Sequence, residues 1–426
     1  MIIYRGMTTR GGNHLSLRSD ALELHKVNQG KLSVNSKVEL KDKEALSLAY
    51  SPGVAEPCKE IYEDERKIFD YTIKGNTVGV VTDGSAVLGL GNIGASASLP
   101  VMEGKSVLLK NFAGVDSFPI ALKTNDVDEI VNTVKLMTPV FGGINLEDIS
   151  APRCFEIEAR LKQEVDIPVF HDDQHGTAIV TLAGLINAVK LTGKTLSSVK
   201  VVLNGAGAAG VAIVKLLHSF GVKDMIMCDS RGAIYEGRPE GMNKVKDEIA
   251  LFTNKDNVSG NLVDVIKDAD VFIGVSVTNA VTKEMVQSMN EDPIIFAMAN
   301  PTPEIIPDLA KEAGAKVIGT GRSDYPNQVN NVLAFPGIFR GALDVQSTHI
   351  NEEMKKAAVL AIANTVAEED LAYDYVIPDA FNPEVAPTVA EKVAEAAMNT
   401  GVSRIKVEPQ YVYNKTKKLI SELNKN

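Results

Sequence analysis

Tryptophan is absent from the chain and aromatic residues make up only 5% of it. Cysteine is scarce: Cys58, Cys154 and Cys228 stand alone, with no CxxC spacing. An odd, scattered set of thiols excludes a disulfide framework and a zinc knuckle, and it fits a reducing, cytoplasmic compartment. No apolar run reaches the roughly 18 residues of a membrane span. The nearest, 199–217, is interrupted by Lys200, Asn204 and Lys215. The first ten residues hold no apolar stretch of signal-peptide length. Basic residues number 44 against 55 acidic ones, for a net charge of −11. That balance argues against a nucleic-acid partner, and it requires any acidic substrate to be captured by a local cluster of donors.

What remains is an ordinary globular composition, 45% hydrophobic over 426 residues, enough for two or three domains. Residues 1–41 look like a ragged extension with one helix near 20–28. Apolar runs at 77–82, 106–110 and 118–122 read as strands, and the spacing over 126–136 and 154–164 reads as helical. From 168 onward the rhythm becomes strand, helix, strand. Strands are expected at 168–170, 199–203, 225–228, 271–274, 294–297 and 316–318, with helices at 176–191 and 208–220 between some of them. This alternation marks a doubly wound parallel sheet. From 351 on, the chain is rich in helical patterning, with a proline-containing break at 378–387.

Two GxGxxG motifs occur, at Gly89, Gly91, Gly94 and at Gly205, Gly207, Gly210. Context separates them. The second follows a predicted strand and opens a predicted helix at Ala208. There, glycines let backbone N–H groups approach a pyrophosphate at the positive end of the helix. The next strand ends in Asp229, 24 residues beyond Gly205, where an acid accepts hydrogen bonds from the adenosine ribose. Asp229 favours NAD, because it repels a 2′-phosphate; Arg231 offers the opposite preference. The first motif lacks this context, and its amides suit a carboxylate in a substrate loop or an ordinary turn. Paired acids at Glu147-Asp148 and Asp172-Asp173 suit a hard divalent cation such as Mg2+ or Mn2+, although such pairs also serve as solvated helix caps. His171 and His175 are four apart, but Asp172 stands where HExxH needs glutamate, so a zinc protease is rejected.

Several stretches in order resemble the motifs of malic enzymes: Tyr50–Cys58, Val81–Gly84 with Leu88–Gly94, Met102–Lys105, Phe170–Thr177, Ala299–Thr302, and Asn330-Asn331 before Phe335–Gly337. The resemblance runs from Tyr50 to Gly337 and is closest to the compact prokaryotic form. It implies an α/β protein: an N-terminal substrate domain at 14–165, a Rossmann-like dinucleotide domain at 166–390, and a helical segment at 391–426 packing back on the first. It implies a homodimer whose substrate is malate, with NAD, or NADP as the alternative, and Mg2+ or Mn2+. Malate loses a hydroxyl proton and a hydride, then CO2, and the enolate left behind takes a proton. By resemblance Lys105 is the base, oriented by Asp172; Tyr50 is the acid, its phenol close to Lys105. Glu147, Asp148 and Asp173 hold the metal. Asn300 and Asn331 bind the substrate carboxylate, and Asn300 also borders the cofactor. A lysine acts as base only if burial or nearby cations lower its pKa. Ala86 occupies the place where many larger malic enzymes carry a carboxylate-binding arginine. Two rivals are an amino-acid dehydrogenase, which needs no metal, and a catalytically idle dinucleotide-binding regulator.

Overall fold

The computed structural model describes residues 17–87 and 89–423. The expectations for residues 1–16, including a domain start at 14, and for Leu88 lie outside the described residues. Among the described residues, no helix is long and apolar enough to cross a membrane.

Ten strands are described: β1 (Thr77–Thr82), β2 (Asp116–Ala121), β3 (Gly143–Leu146), β4 (Val169–His171), β5 (Lys200–Asn204), β6 (Asp224–Asp229), β7 (Gly232–Ala233), β8 (Val271–Gly274), β9 (Ile294–Ala297) and β10 (Val317–Thr320). They form two sheets. The first is wholly parallel, in the order β2-β1-β3-β4. The second runs β10-β9-β8-β5-β6-β7 and is parallel except at the β6–β7 edge. In each sheet the order reverses beside an inner strand, between β1 and β3 and between β5 and β8. The crevice outside the carboxyl ends at such a point is where open α/β sheets bind ligands.

One helix joins the two halves. Asp172–Leu191 starts directly after β4, and 14 of its 20 residues are buried. A helix apolar on nearly every side must be enclosed. It lies against helices Ala208–Ser219 and Glu352–Thr365. The sequence reading placed its start at Gly176. In fact Asp172, Asp173, Gln174 and His175 form its first turn, because the chain leaves β4 without a loop.

Another expectation fails. Residues 106–110 are not a strand but part of helix Gly94–Ala113, whose buried positions Ser98, Met102, Ser106, Leu109 and Ala113 recur every three or four residues. The short run Val107-Leu108-Leu109 concealed that longer period. β3 was not foreseen, because four buried residues show no alternation. The expected domain boundaries lie within continuous packing. The one at 165/166 precedes β4, which pairs with β3, so the first sheet runs past it. The one at 390/391 cuts helix Val385–Asn399. Helix Pro409–Leu423 lies on Val385–Asn399 and touches Gly94–Ala113; Leu419 presses against Gly114, where an added Cβ would come within 2.7 Å. At the other end, helices Leu17–Asn28, Lys43–Ala49 and Ala55–Glu63 bury no residue at all.

Candidate active site

The carboxyl ends of β3 and β4 bring the acidic pairs together. Glu147 and Asp148 follow β3, and Asp172 and Asp173 follow β4. Helix Gly94–Ala113 carries Lys105 to the same place. Its Nζ lies 2.5 Å from Asp172 Oδ2 and 3.0 Å from Glu147 Oε1, and 4.7 Å from the centre of the Phe335 ring. The Lys105 side chain is only 11% exposed and that of Asp172 is fully buried, so these ion pairs are shielded from water.

Glu147, Asp148 and Asp173 each offer a carboxylate oxygen, and the three oxygens lie within 4.8 Å of one another. Burial and mutual repulsion hold all three carboxyls above their ordinary range. Glu147 is pushed to about 7, Asp148 to about 9 and Asp173 to about 6. Asp148 Oδ2 is buried without a hydrogen-bond partner among the described residues, and Asp148 itself has a left-handed backbone, φ 54°. Its N–H donates to Asp173 Oδ2 at 2.7 Å, its carbonyl accepts from Ala86 N–H at 2.9 Å, and Asn145 donates to Glu147 at 2.8 Å. Convergent oxygens, one of them orphaned, in a pocket that resists their own charge fit a hard divalent cation.

Lys105 departs from expectation. Burial alone lowers its pKa, but Asp172, Glu147 and Asp173 outweigh burial and raise it. Burial likewise pushes Asp172 up to about 7, despite the pull of Lys105. With the carboxylates carrying their own charge, the amine is held as an ammonium.

The second glycine motif closes the turn from β5 into helix Ala208–Ser219. A Cβ on Gly210 would come within 1.8 Å of Gly205 O, whereas Gly207 faces open space. The helix starts at Gly207 with no side chain capping it, which leaves its N-terminal amides for an anion. The first motif also opens a helix: β1 leads through Gly89 and Gly91 to Gly94, all three at φ between 71° and 76°. Asp229 ends β6 as expected, but both its oxygens are engaged. Arg238 donates to them at 2.9 and 2.5 Å, and Lys246 at 2.6 Å. Burial raises the Asp229 pKa, and these cations more than reverse it. The repulsion expected toward a 2′-phosphate is therefore answered by two cations that the sequence reading missed.

Asn331 lies beside Gly176, at whose position a Cβ would meet the Asn331 Cβ at 3.1 Å and Asp172 Oδ1 at 1.9 Å. Asn300 follows β9, and Gly89 of the first loop packs on Pro301 and Asn300, so that loop spans both crevices. Tyr50 makes no hydrogen bond to Lys105 within one chain. It is 68% exposed, and its phenol makes no hydrogen bond among the described residues. Sequence reasoning also missed Glu304, wholly buried, which accepts from Ser276 N–H and Ala299 N–H at 2.9 and 3.0 Å and so shapes the ends of β8 and β9. It missed Glu158, whose carboxylate lies 2.7 Å from His175 Nε2; burial lowers the His175 pKa to about 4, so a neutral imidazole hydrogen-bonds Glu158, in keeping with the rejected zinc motif.

The sequence matches the family model of the malic enzyme N-terminal domain over residues 29–162 and that of the malic enzyme NAD binding domain over residues 174–398. It is 72% identical to the bifunctional malic/malolactic enzyme of Bacillus subtilis, over 95% of this chain and 99% of that one. It is 58% identical to the NAD-dependent malic enzyme of Geobacillus stearothermophilus, over 88% of this chain and 78% of that one. The crystal structure of malic enzyme from Pyrococcus horikoshii superposes with a TM-score of 0.92 at 48% identity, covering 96% of each chain.

Proposed function

Because the chain belongs to the malic enzyme family, we propose that it converts (S)-malate to pyruvate and CO2 with reduction of a nicotinamide dinucleotide, at the crevice between β1 and β3. The observation that carries the residue assignment is the meeting of Lys105 with Asp172 and Glu147 beside a three-carboxylate cluster. Glu147, Asp148 and Asp173 would hold Mg2+ or Mn2+, which when bound supplies Lewis acidity toward the substrate's oxygens. Lys105 then withdraws the hydroxyl proton while the second carbon gives up its hydride. Asp172 fixes the amine in place. The base role requires that the neighbouring carboxylates no longer pin a proton on Lys105, the situation that obtains once their charge faces a cation. Loss of CO2 leaves an enolate, to which Tyr50 donates a proton at the third carbon. Asn300 and Asn331 orient the substrate, and the Gly205–Gly210 turn, Ala208 and Asp229 seat the dinucleotide.

Since Tyr50 is exposed in a segment that buries nothing, the proposal includes a homodimer in which Tyr50 serves the site of the other copy. A cytoplasmic location belongs to the same proposal and agrees with three free cysteines. The test is a spectrophotometric assay with malate, Mn2+ and either NAD or NADP, with pyruvate measured as product. Pyruvate formation that stops on addition of EDTA is the expected result; metal-independent turnover would favour the amino-acid dehydrogenase rival. The 72%-identical bifunctional relative favours a second outcome of the same assay, formation of lactate from malate.

A further inference from the structure

Malate is a dianion, and Lys105, beside the carboxylate cluster, is engaged by Asp172 and Glu147. Ala86 brings no charge. Arg153 stands at the same crevice. The register Val81↔Leu146 between β1 and β3 sets Asp83 level with Asp148, and the loops beyond the two strands are laced together. Ala86 N–H donates to Asp148 O at 2.9 Å, and Ser150 N–H to Ser85 Oγ at 2.9 Å. Arg153, the first residue of helix Arg153–Glu164, places Nη2 2.7 Å from Asp83 Oδ2 and 3.0 Å from Ser85 Oγ. Asn125 Nδ2 steadies the same Asp83 oxygen at 3.0 Å. The Nη2 nitrogen of the guanidinium is thus fixed. Nη1 has no hydrogen-bond partner among the described residues, and Nε is buried without one. A guanidinium anchored at Nη2, with Nη1 left unsatisfied, is preorganised to donate to a carboxylate.

We propose that Arg153 is the residue that selects a carboxylate-bearing substrate, receiving the carboxylate that malate keeps as it becomes pyruvate. The other carboxylate leaves as neutral CO2, and an ion pair there would favour the ground state over the transition state. The assignment rests on the malate reading above.

The test compares wild type with Arg153→Gln, which removes the guanidinium but keeps a shorter polar side chain, and with Arg153→Lys. For Arg153→Gln the KM for malate should rise by about 100-fold, and binding of pyruvate should weaken as well. The KM for the dinucleotide and the Mn2+ activation constant should stay near wild type, and added guanidinium should restore part of the loss. Arg153→Lys should fall between. If the lone Asp83 charge unfolds Arg153→Gln, the double variant Asp83→Asn/Arg153→Gln supplies the same readings against Asp83→Asn. A malate KM within about twofold of the reference, in a wild type that makes pyruvate, overturns the assignment. A wild type that makes no pyruvate overturns the malate reading instead.

Discussion

Lys105 illustrates how far one side chain depends on its neighbours. Alone in its buried position it would lose its proton more easily, but three carboxylates raise its pKa. Lys105→Ala should lower kcat by several orders of magnitude while the affinity for the dinucleotide, held on the other sheet, stays unchanged; stopped-flow turnover and direct NAD titration separate the two. Asp173→Ala should raise the Mn2+ concentration needed for half activation, and an unchanged metal dependence would remove Asp173 from the ligand set. At this scale the sequence was informative where residues sit in ordered motifs, as Lys105, Glu147, Asp148, Asp172 and Asp173 do. It was silent on Arg238 and Lys246. Both reach Asp229 from beyond β7, and nothing in their spacing shows the fold of the intervening turn.

Among the elements, helix Asp172–Leu191 matters most, since its first turn carries two site acids and its body is enclosed by both halves of the molecule. Gly176 lies one turn in because a side chain there would displace Asp172. Gly176→Ala is therefore expected to cut kcat by about 10- to 100-fold with dinucleotide binding retained. Gly210→Ala should do the reverse, weakening dinucleotide binding by forcing the turn away from Gly205 O while leaving Mn2+ binding intact. Calorimetric titrations with NAD and with Mn2+ read both. The parallel sheet of the second half was legible because its strands are continuous apolar runs separated by helices. Helix Gly94–Ala113 was not read at all, and within it three adjacent apolar residues at 107–109 imitate a strand; the first turn of Asp172–Leu191 was not read because its polar residues resemble a cap.

For the whole molecule, the crowded carboxylates cost stability as the pH rises. Glu147, Asp148, Asp172 and Asp173 all bind protons more tightly when folded than a free carboxylate of about pH 4 does. Their contribution is therefore fully present at low pH and is lost as the pH rises through about 6 to 9. In metal-free protein, Asp148→Asn should gain in Tm over wild type as the pH climbs from 5 to 9, which thermal scans at each pH will reveal; asparagine also tolerates the left-handed backbone. The proposed dimer has its own signature. Tyr50→Phe and Lys105→Ala, each nearly inactive alone, should regain about a quarter of wild-type activity when unfolded and refolded together, because hybrid dimers restore one intact site. No recovery would place Tyr50 outside the other copy's site.

The central claim is that three carboxylates following β3 and β4 hold a divalent cation next to Lys105. Anomalous diffraction from Mn2+-soaked crystals tests it directly. One strong peak is expected among Glu147, Asp148 and Asp173, lost in Asp173→Ala. A peak bound elsewhere, or none at saturating Mn2+, would contradict it.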